Sequence, residues 1–202
     1  MSIFLIRHGE TPGNAARIVQ TPDTPLSERG IAQAERLARR LAAEGLGGIL
    51  ASDLERAKMT AERLQAACGV PVAHDPLLQE RNFGAVRGTA YADLGFDLFA
   101  PDYVPPEGEG WPAFHERVTA AWRRIRDVAA ATPGPLAVVT HGLVCFSLVQ
   151  HHFEVAAGVE APVRFGNTSL TVVEDVPPWT VTRLDCTAHL EGDAADDVRS
   201  SL

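Results

Sequence analysis

The sequence predicts an α/β fold in which helices cover both faces of a mostly parallel central sheet, giving three layers α/β/α. Short, continuously apolar segments such as residues 136–140 (LAVVT) are typical of strands that are covered on both faces. Such segments alternate with segments of helical period in the order β-α-β-α, then α-β-α-β-β. The length of 202 residues, 46% of them apolar and 22% charged, fits one domain, which we take to span residues 1–202.

The first half of the chain is predicted to contain three short strands and two helices. Ser27 is the expected N-cap of the first helix, which runs to about Glu44, and Ser52 with Asp53 is expected to cap the second. Residues 11–25, rich in Thr, Pro, Asn and Gly, are predicted to form a loop. The strands are expected at residues 3–6, 49–51 and 70–73.

The second half begins with a segment that has no regular period. Residues 82–111 are interpreted as a loop-rich insertion that covers the substrate, because long irregular segments in compact domains are usually functional. Pro112 suits the first turn of the next helix. The strand at residues 136–140 is followed by a helix to about His151. Two further strands, in a hairpin or at a sheet edge, are expected at residues 169–173 and 179–184.

Composition and charge exclude several classes of partner. The formal net charge is −8, so the chain lacks the basic surface that nucleic acids or anionic membranes require. The three cysteines are widely spaced without a zinc-binding pattern, and no signal peptide is visible, which together indicate a cytoplasmic location. Residues 192–202 are polar and expected to be mobile. A homodimer is left open by the sequence.

Cationic groups follow several of the predicted strands. Arg7 and His8 come directly after the first strand, His141 follows the strand at residues 136–140, and Arg56 lies in the first turn of a helix. Because the carboxyl ends of parallel strands meet at one edge of a sheet, these side chains are expected to share a cleft. Gly9 is expected to allow a sharp turn and the close approach of a ligand. A phosphate group would relieve the repulsion between the cations, and the arginines can bind its oxygens bidentately.

A metal site is the alternative that the same residues raise. His8, Glu10 and His141 could be imagined as ligands, but their spacing does not fit a closed zinc site and Arg7 would repel a cation. The prediction is therefore that no metal and no cofactor is needed, since the arginines supply the positive charge.

Five ordered segments resemble the motifs of the histidine phosphatase superfamily, which includes the cofactor-dependent phosphoglycerate mutases. The resemblance extends over about residues 3–175 and implies a phosphoglycerate mutase-like fold. The segments are residues 5–11 (LIRHGET, with Asn14 three residues on), 25–34 (PLSERGIAQA), 52–61 (SDLERAKMTA), 78–88 (LQERNFGAVRG) and 139–142 (VTHG).

The resemblance implies a role for each matching residue. His8 would attack phosphorus as a neutral imidazole, with its other ring nitrogen held by a backbone carbonyl such as that of Gly9. Glu80 would protonate the leaving oxygen and then activate the water that cleaves phosphohistidine. The phosphoryl oxygens would be held by Arg7, Arg56 and His141, with further hydrogen bonds from Asn14 and the backbone of Gly142.

The implied activity is that of a metal-independent phosphomonoester hydrolase, a histidine acid-type phosphatase acting on a small phosphorylated metabolite. The alternatives are a 2,3-bisphosphoglycerate-dependent phosphoglycerate mutase and a non-catalytic module that binds a phosphorylated ligand. Residues 82–116 contain one arginine, Arg87, no lysine and six acidic residues, which favours a substrate with one phosphate and a less charged, partly apolar body. The sequence leaves open whether Arg81 contacts substrate or solvent.

Overall fold

The computed structural model describes residues 2–157, 162, 164–174 and 176–191. The strands within these ranges are β1 (Ser2–Arg7), β2 (Gly48–Ala51), β3 (Val72–His74), β4 (Leu136–Thr140), β5 (Glu154–Val155), β6 (Leu170–Glu174) and β7 (Thr180–Cys186). They form one seven-stranded sheet with the order β3-β2-β4-β1-β6-β7-β5. Strand β6 runs antiparallel to both of its neighbours, and the other adjacent pairs are parallel.

Helices cover both faces of this sheet, which confirms the predicted three-layer α/β/α architecture. Side chains alternate along β1: Ile3 and Leu5 join the core formed with α4 and α5, whereas Phe4 and Ile6 join the core formed with α2 and α3. The helices are α1 (Pro12–Ala16), α2 (Glu28–Leu41), α3 (Glu55–Cys68), α4 (Trp111–Ala131) and α5 (Gly142–His152).

The predicted helix starts are right for α2 and α4 and wrong for α3. The Ser27 side chain accepts the Gly30 N–H, as expected of an N-cap, and Pro112 lies in the first turn of α4. The N-cap of α3 is Leu54, which makes no side-chain cap hydrogen bond. Ser52 lies one residue after β2, and its hydroxyl is used in the site described below.

The sequence predicted a loop for all of residues 11–25, but part of this segment is helical. Thr11 and Asn14 form a capping box in which each side chain bonds the other residue's backbone N–H, and this stabilises the short helix α1. The C-cap of this helix is Arg17, whose backbone is left-handed with φ 53°. The polar residues that indicated a loop are therefore the residues that cap a helix.

Residues 82–111 contain short 3₁₀ turns at Gly84–Val86 and Tyr91–Asp93 before α4 begins. A single antiparallel bridge joins Ile18 to Ala90, so this segment contacts the loop that follows α1. The last two predicted strands pair antiparallel as β6 and β7, and the two-residue strand β5 was not predicted. The prediction for residues 192–202 lies outside the described residues. No described helix is both long and apolar enough to cross a membrane.

Candidate active site

Strands β1 and β4 end side by side, so that the two histidines that follow them lie next to each other. His8 follows β1 directly, and its N–H donates to the carbonyl of Thr140, the last residue of β4 (2.9 Å). His141 follows Thr140, and the two imidazole centroids lie 5.1 Å apart. Arg7 and Arg56 lie in the same cluster, and all four side chains are buried. The predicted convergence of these residues at one sheet edge is present in the structure.

The backbone fixes the orientation of the His8 ring. Its Nδ1 lies 2.7 Å from the Gly9 carbonyl oxygen, so Nδ1 carries the proton and donates, and Nε2 keeps its lone pair. Burial lowers the pKa of His8 well below 6.5, and the charges of Arg56 and Arg7 lower it further. His8 is therefore a neutral imidazole with Nε2 available to the cavity that it lines.

Gly9 is needed for a different reason from the one that the sequence suggested. A Cβ atom at this position would lie 2.5 Å from the Gly30 carbonyl oxygen. The loop after β1 thus packs directly on the first turn of α2, and the Gly9 N–H donates to the Thr60 hydroxyl of α3 (3.1 Å). This close backbone contact with α2 requires a glycine at position 9.

His141 is held by the Ser52 hydroxyl, which lies 2.9 Å from Nε2. Its Nδ1 is buried and has no hydrogen-bond partner among the described residues. Burial lowers the pKa of His141 well below 6.5, and the nearby Arg56, His8 and Arg7 act in the same direction. An unused buried nitrogen beside His8 is suited to contact a bound ligand.

The two arginines are anchored by backbone carbonyls. Arg7 donates to the carbonyl of Phe165, and Arg56 donates to that of Thr21 (3.1 Å). Burial lowers the pKa of Arg56 to about 10, against an opposing effect of Glu80. The Arg56 Nε has no hydrogen-bond partner within the described part of the chain. Both side chains line the cavity, which gives it a strongly positive lining.

Glu80 also lines the cavity and is held by two backbone N–H groups. Its Oε1 accepts from Arg81 (2.9 Å) and its Oε2 accepts from Leu143 (3.1 Å). Burial raises the pKa of Glu80 and outweighs these hydrogen bonds and the two arginines, which lower it. A carboxyl group with a raised pKa can act as a proton donor near neutral pH.

Arg117 of α4 fixes the segment that carries Glu80, and sequence reasoning missed it. It donates to the carbonyls of Leu77 (2.9 Å) and Gln79 (2.7 Å) and pairs with Glu109 (2.8 Å). It also donates to the carbonyl of Glu80 itself (3.3 Å). No local pattern around Arg117 indicates this role, because its carbonyl partners lie 37 to 40 residues earlier and Glu109 lies in the irregular segment before α4.

The other residues that the sequence analysis singled out either line the cavity or hold the surrounding backbone in place. Asn14 and Gly142 line the cavity as predicted, and Arg87 lines it as a partly exposed side chain. Arg81 also lines the cavity, but it is 1% exposed and its guanidinium group donates to three backbone carbonyls. The sequence analysis did not single out the other lining residues, which are Gln20, Thr21, Pro22, Leu54, Phe83, Tyr91, Phe99 and Leu143.

No three or more His, Cys, Asp and Glu side chains lie together as a metal-binding group within the residues that the structure describes. The residues that line the cavity include Arg7, Arg56, the neutral imidazole of His8 and the carboxyl group of Glu80, whose pKa is raised. The neutral imidazole of His141 lies beside that of His8. Such a set can bind a tetrahedral oxyanion, attack it with a nitrogen and supply a proton to the departing group.

These features define a phosphoryl-transfer site on an α/β/α fold, and comparison with known proteins identifies the family. The model of the histidine phosphatase superfamily (branch 1) matches residues 3–177, so the chain belongs to this family. The fold is accordingly phosphoglycerate mutase-like, as the resemblance implied.

Relatives within the family carry both mutase and phosphatase names. The probable phosphoglycerate mutase GpmB of Yersinia pestis (strain Pestoides F) is 31% identical, over 98% of this chain and 99% of that protein. The α-ribazole phosphatase from Shigella flexneri has a similar structure (TM-score 0.77, 27% identity, 93% of this chain and 97% of that one). So does a mycobacterial glucosyl-3-phosphoglycerate phosphatase complexed with VO₃ (TM-score 0.71, 27% identity, 86% and 90%).

Proposed function

We propose that the protein is a metal-independent phosphomonoester hydrolase that acts through phosphohistidine on a small phosphorylated metabolite. The observation that carries this proposal is the 2.7 Å contact of His8 Nδ1 with the Gly9 carbonyl. This contact leaves the Nε2 lone pair of a neutral, buried imidazole available beside two guanidinium groups. A histidine with only a structural role has no need of this arrangement.

In the proposed first step, Nε2 of His8 attacks phosphorus while the bond between phosphorus and the ester oxygen breaks. Glu80 gives its proton to that oxygen, and the alcohol leaves. Arg7, Arg56 and Nδ1 of His141 bind the oxygens over which the transition-state charge spreads, and this positioning and charge stabilisation provides most of the catalysis.

In the second step, the Glu80 carboxylate takes a proton from a water molecule as the water oxygen attacks phosphorus. The bond between phosphorus and Nε2 breaks, inorganic phosphate leaves, and both His8 and Glu80 return to their starting states. General acid–base catalysis of this kind contributes about 10²–10⁴-fold.

A phosphoglycerate mutase is the second candidate, because the 31% identical relative carries that name. A mutase must bind a substrate with two anionic ends. Residues 82–116, which contribute Phe83, Arg87, Tyr91 and Phe99 to the cavity, contain Arg87 as their one basic residue other than histidine. This composition favours hydrolysis. A non-catalytic binding module would not require both His8 and Glu80, and the chain has both.

The test is hydrolysis of p-nitrophenyl phosphate in the presence of EDTA by the wild type, His8→Ala and His74→Ala. His74 is exposed at the end of β3 and serves as the control. Turnover by the wild type and His74→Ala but not by His8→Ala supports the proposal, as does acid-labile, base-stable labelling of the wild type by a radioactive phosphodonor. Loss of activity in EDTA, or activity retained in His8→Ala, overturns it. Transfer between 2- and 3-phosphoglycerate that outpaces phosphate release would instead identify a mutase.

A further inference from the structure

A second, larger cavity opens directly beside the catalytic one. It is open to the surface and has a volume of about 460 Å³, against about 40 Å³ for the cavity that His8 and Glu80 line. The two cavities share Phe99, Gly142 and Leu143 in their walls. The catalytic cavity is thus a narrow site, whereas its neighbour has the volume of an ordinary small-molecule site.

The walls of the second cavity, which we call the aromatic cavity, are mainly aromatic. Phe114 and Phe165 are buried at its inner side, and Phe146 of α5 is 41% exposed at its mouth. Trp111 is held in place because its Nε1 donates to the Ala100 carbonyl (2.9 Å) and because the Arg81 guanidinium lies 4.0 Å from its ring centroid. Walls fixed in this way form a site before any ligand arrives.

The polar groups of the aromatic cavity carry little charge. His115 stacks on Trp111 with 5.7 Å between ring centroids and 19° between planes, and its Nδ1 lies 3.0 Å from the Ser147 hydroxyl. Among the described residues that line the cavity there is no carboxylate, and Arg164 is the one arginine or lysine. Such a lining suits an apolar, flat group better than a second phosphate or a sugar.

The position of Glu80 directs the leaving group toward this cavity. Glu80 Oε2 accepts the Leu143 N–H (3.1 Å), and Leu143 lies between the two cavities. If Glu80 protonates the ester oxygen, that oxygen lies within hydrogen-bond reach of the Glu80 carboxyl group, which the Leu143 N–H holds. Leu143 also lines the aromatic cavity, which makes this cavity an adjacent space for the carbon body attached to that oxygen.

We infer that the substrate is a phosphomonoester of an alcohol with a flat aromatic body of one or two rings, which binds in the aromatic cavity. This inference rests on the proposed function and extends it to a substrate class. Phe146 is then a residue that determines specificity through contact with the body of the substrate, apart from the groups that carry out the chemistry.

The test compares ethyl phosphate, 2-phenylethyl phosphate and 2-(1-naphthyl)ethyl phosphate. All three release a primary alcohol, so differences in kcat/KM report binding of the body rather than leaving-group acidity. We expect kcat/KM to rise by about tenfold or more from the ethyl to the phenylethyl ester, since burial of one ring is worth that much in an apolar site. In Phe146→Ser this preference should fall severalfold.

Phe96→Ser is the matched control, because Phe96 is also exposed (47%) but does not line the aromatic cavity. It should keep the wild-type preference. Equal kcat/KM for the ethyl and phenylethyl esters would overturn the inference, and so would a preference that Phe146→Ser leaves intact.

Calorimetric binding of ethylphosphonate and 2-phenylethylphosphonate separates this inference from the proposed function. If no ester is hydrolysed but the wild type still prefers the phenylethylphosphonate and Phe146→Ser does not, the hydrolase proposal fails and the aromatic cavity stands as a binding site. If all esters are hydrolysed equally and the phosphonates bind equally, the hydrolase proposal stands and the aromatic substrate class is wrong.

Discussion

The imidazole rings of His8 and His141 lie 5.1 Å apart and are tilted by 59° to each other, and the charges of Arg7 and Arg56 act on both rings. Burial and the two arginines lower the pKa of both histidines well below 6.5. The cluster therefore has two positive charges, those of Arg7 and Arg56, rather than four. Each ring also keeps one nitrogen for contact with a ligand, Nε2 in His8 and Nδ1 in His141. This charge state matches a phosphate dianion without protonating the nucleophile.

The first prediction concerns Glu80→Gln and the pH dependence of hydrolysis. A carboxyl group donates its proton only below its pKa, so kcat/KM should fall as pH rises through the raised pKa of Glu80. His8 has to be neutral, and since its pKa is lowered, it limits activity only in the acid range. Glu80→Gln should lose about 10²–10⁴-fold in kcat/KM for ethyl phosphate together with the alkaline limb.

Comparison of the two pH profiles removes the ionisation of the substrate phosphate, which is common to both enzymes. Glu62→Gln, at an exposed position on α3, should behave as the wild type. An alkaline limb that persists unchanged in Glu80→Gln would show that another group supplies the proton.

The second prediction is that Arg56→Ala lowers kcat/KM by about 10²–10³-fold, because it removes a preorganised donor to the phosphoryl oxygens. Inorganic phosphate should raise the Tm of the wild type, since a ligand that binds only the folded state stabilises it. It should raise the Tm of Arg56→Ala much less. Thermal unfolding with and without phosphate measures both shifts.

Arg63→Ala is the control for this experiment, because Arg63 lies on the same helix and pairs with the exposed Glu62 (3.1 Å). The same phosphate-induced rise in Tm for Arg56→Ala and the wild type would exclude Arg56 as a phosphate-binding residue.

The third prediction treats Arg117 as a positioning residue for Glu80. Arg117→Ala frees the carbonyls of Leu77 and Gln79, and the carboxyl group of Glu80 should lose its fixed place beside the leaving oxygen. Hydrolysis of ethyl phosphate should then fall at least about tenfold more than that of p-nitrophenyl phosphate, since nitrophenolate leaves without a proton. Steady-state kinetics with the two esters measures this ratio.

A merely structural role for Arg117 would lower both activities in equal proportion, and that result would contradict the prediction. Arg124→Ala provides the comparison on α4, because it removes a half-exposed ion pair with Asp75 (3.2 Å) and should leave the ratio unchanged.

The fourth prediction concerns Arg81, which is a framework residue. Arg81→Ala leaves the carbonyls of Leu98, Tyr103 and Glu109 without their charged donor and removes the stacking on Trp111. We expect the free energy of unfolding to fall by about 3 kcal/mol, as measured by urea denaturation. Arg39→Ala, at an exposed position on α2, should change it by no more than about 0.5 kcal/mol. A similarly small change for Arg81→Ala would show that these hydrogen bonds contribute little.

The sequence pattern predicted strands and helix starts correctly where the signal lies within a few neighbouring residues. The apolar run at residues 136–140 predicts β4 because a strand covered on both faces must be apolar throughout. Ser27 predicts the start of α2 because an N-cap bonds a backbone N–H three residues on. The same rule failed for Ser52. Its hydroxyl accepts the N–H of Leu54 (3.3 Å), which lies before the helix, and it also lies 2.9 Å from Nε2 of His141, 89 residues later.

The sequence by itself determined the α/β order of elements and the placing of His8, Arg56 and His141 at strand ends or a first helical turn, because both depend on short-range periodicity and on the parallel sheet. The tertiary structure alone decided why Gly9 must be a glycine, that Arg81 is a framework residue and that Arg117 holds the Glu80 segment. Each of these depends on a contact between residues or backbone groups whose distance and direction follow from the packing of the whole chain. Local sequence carries no record of such a contact.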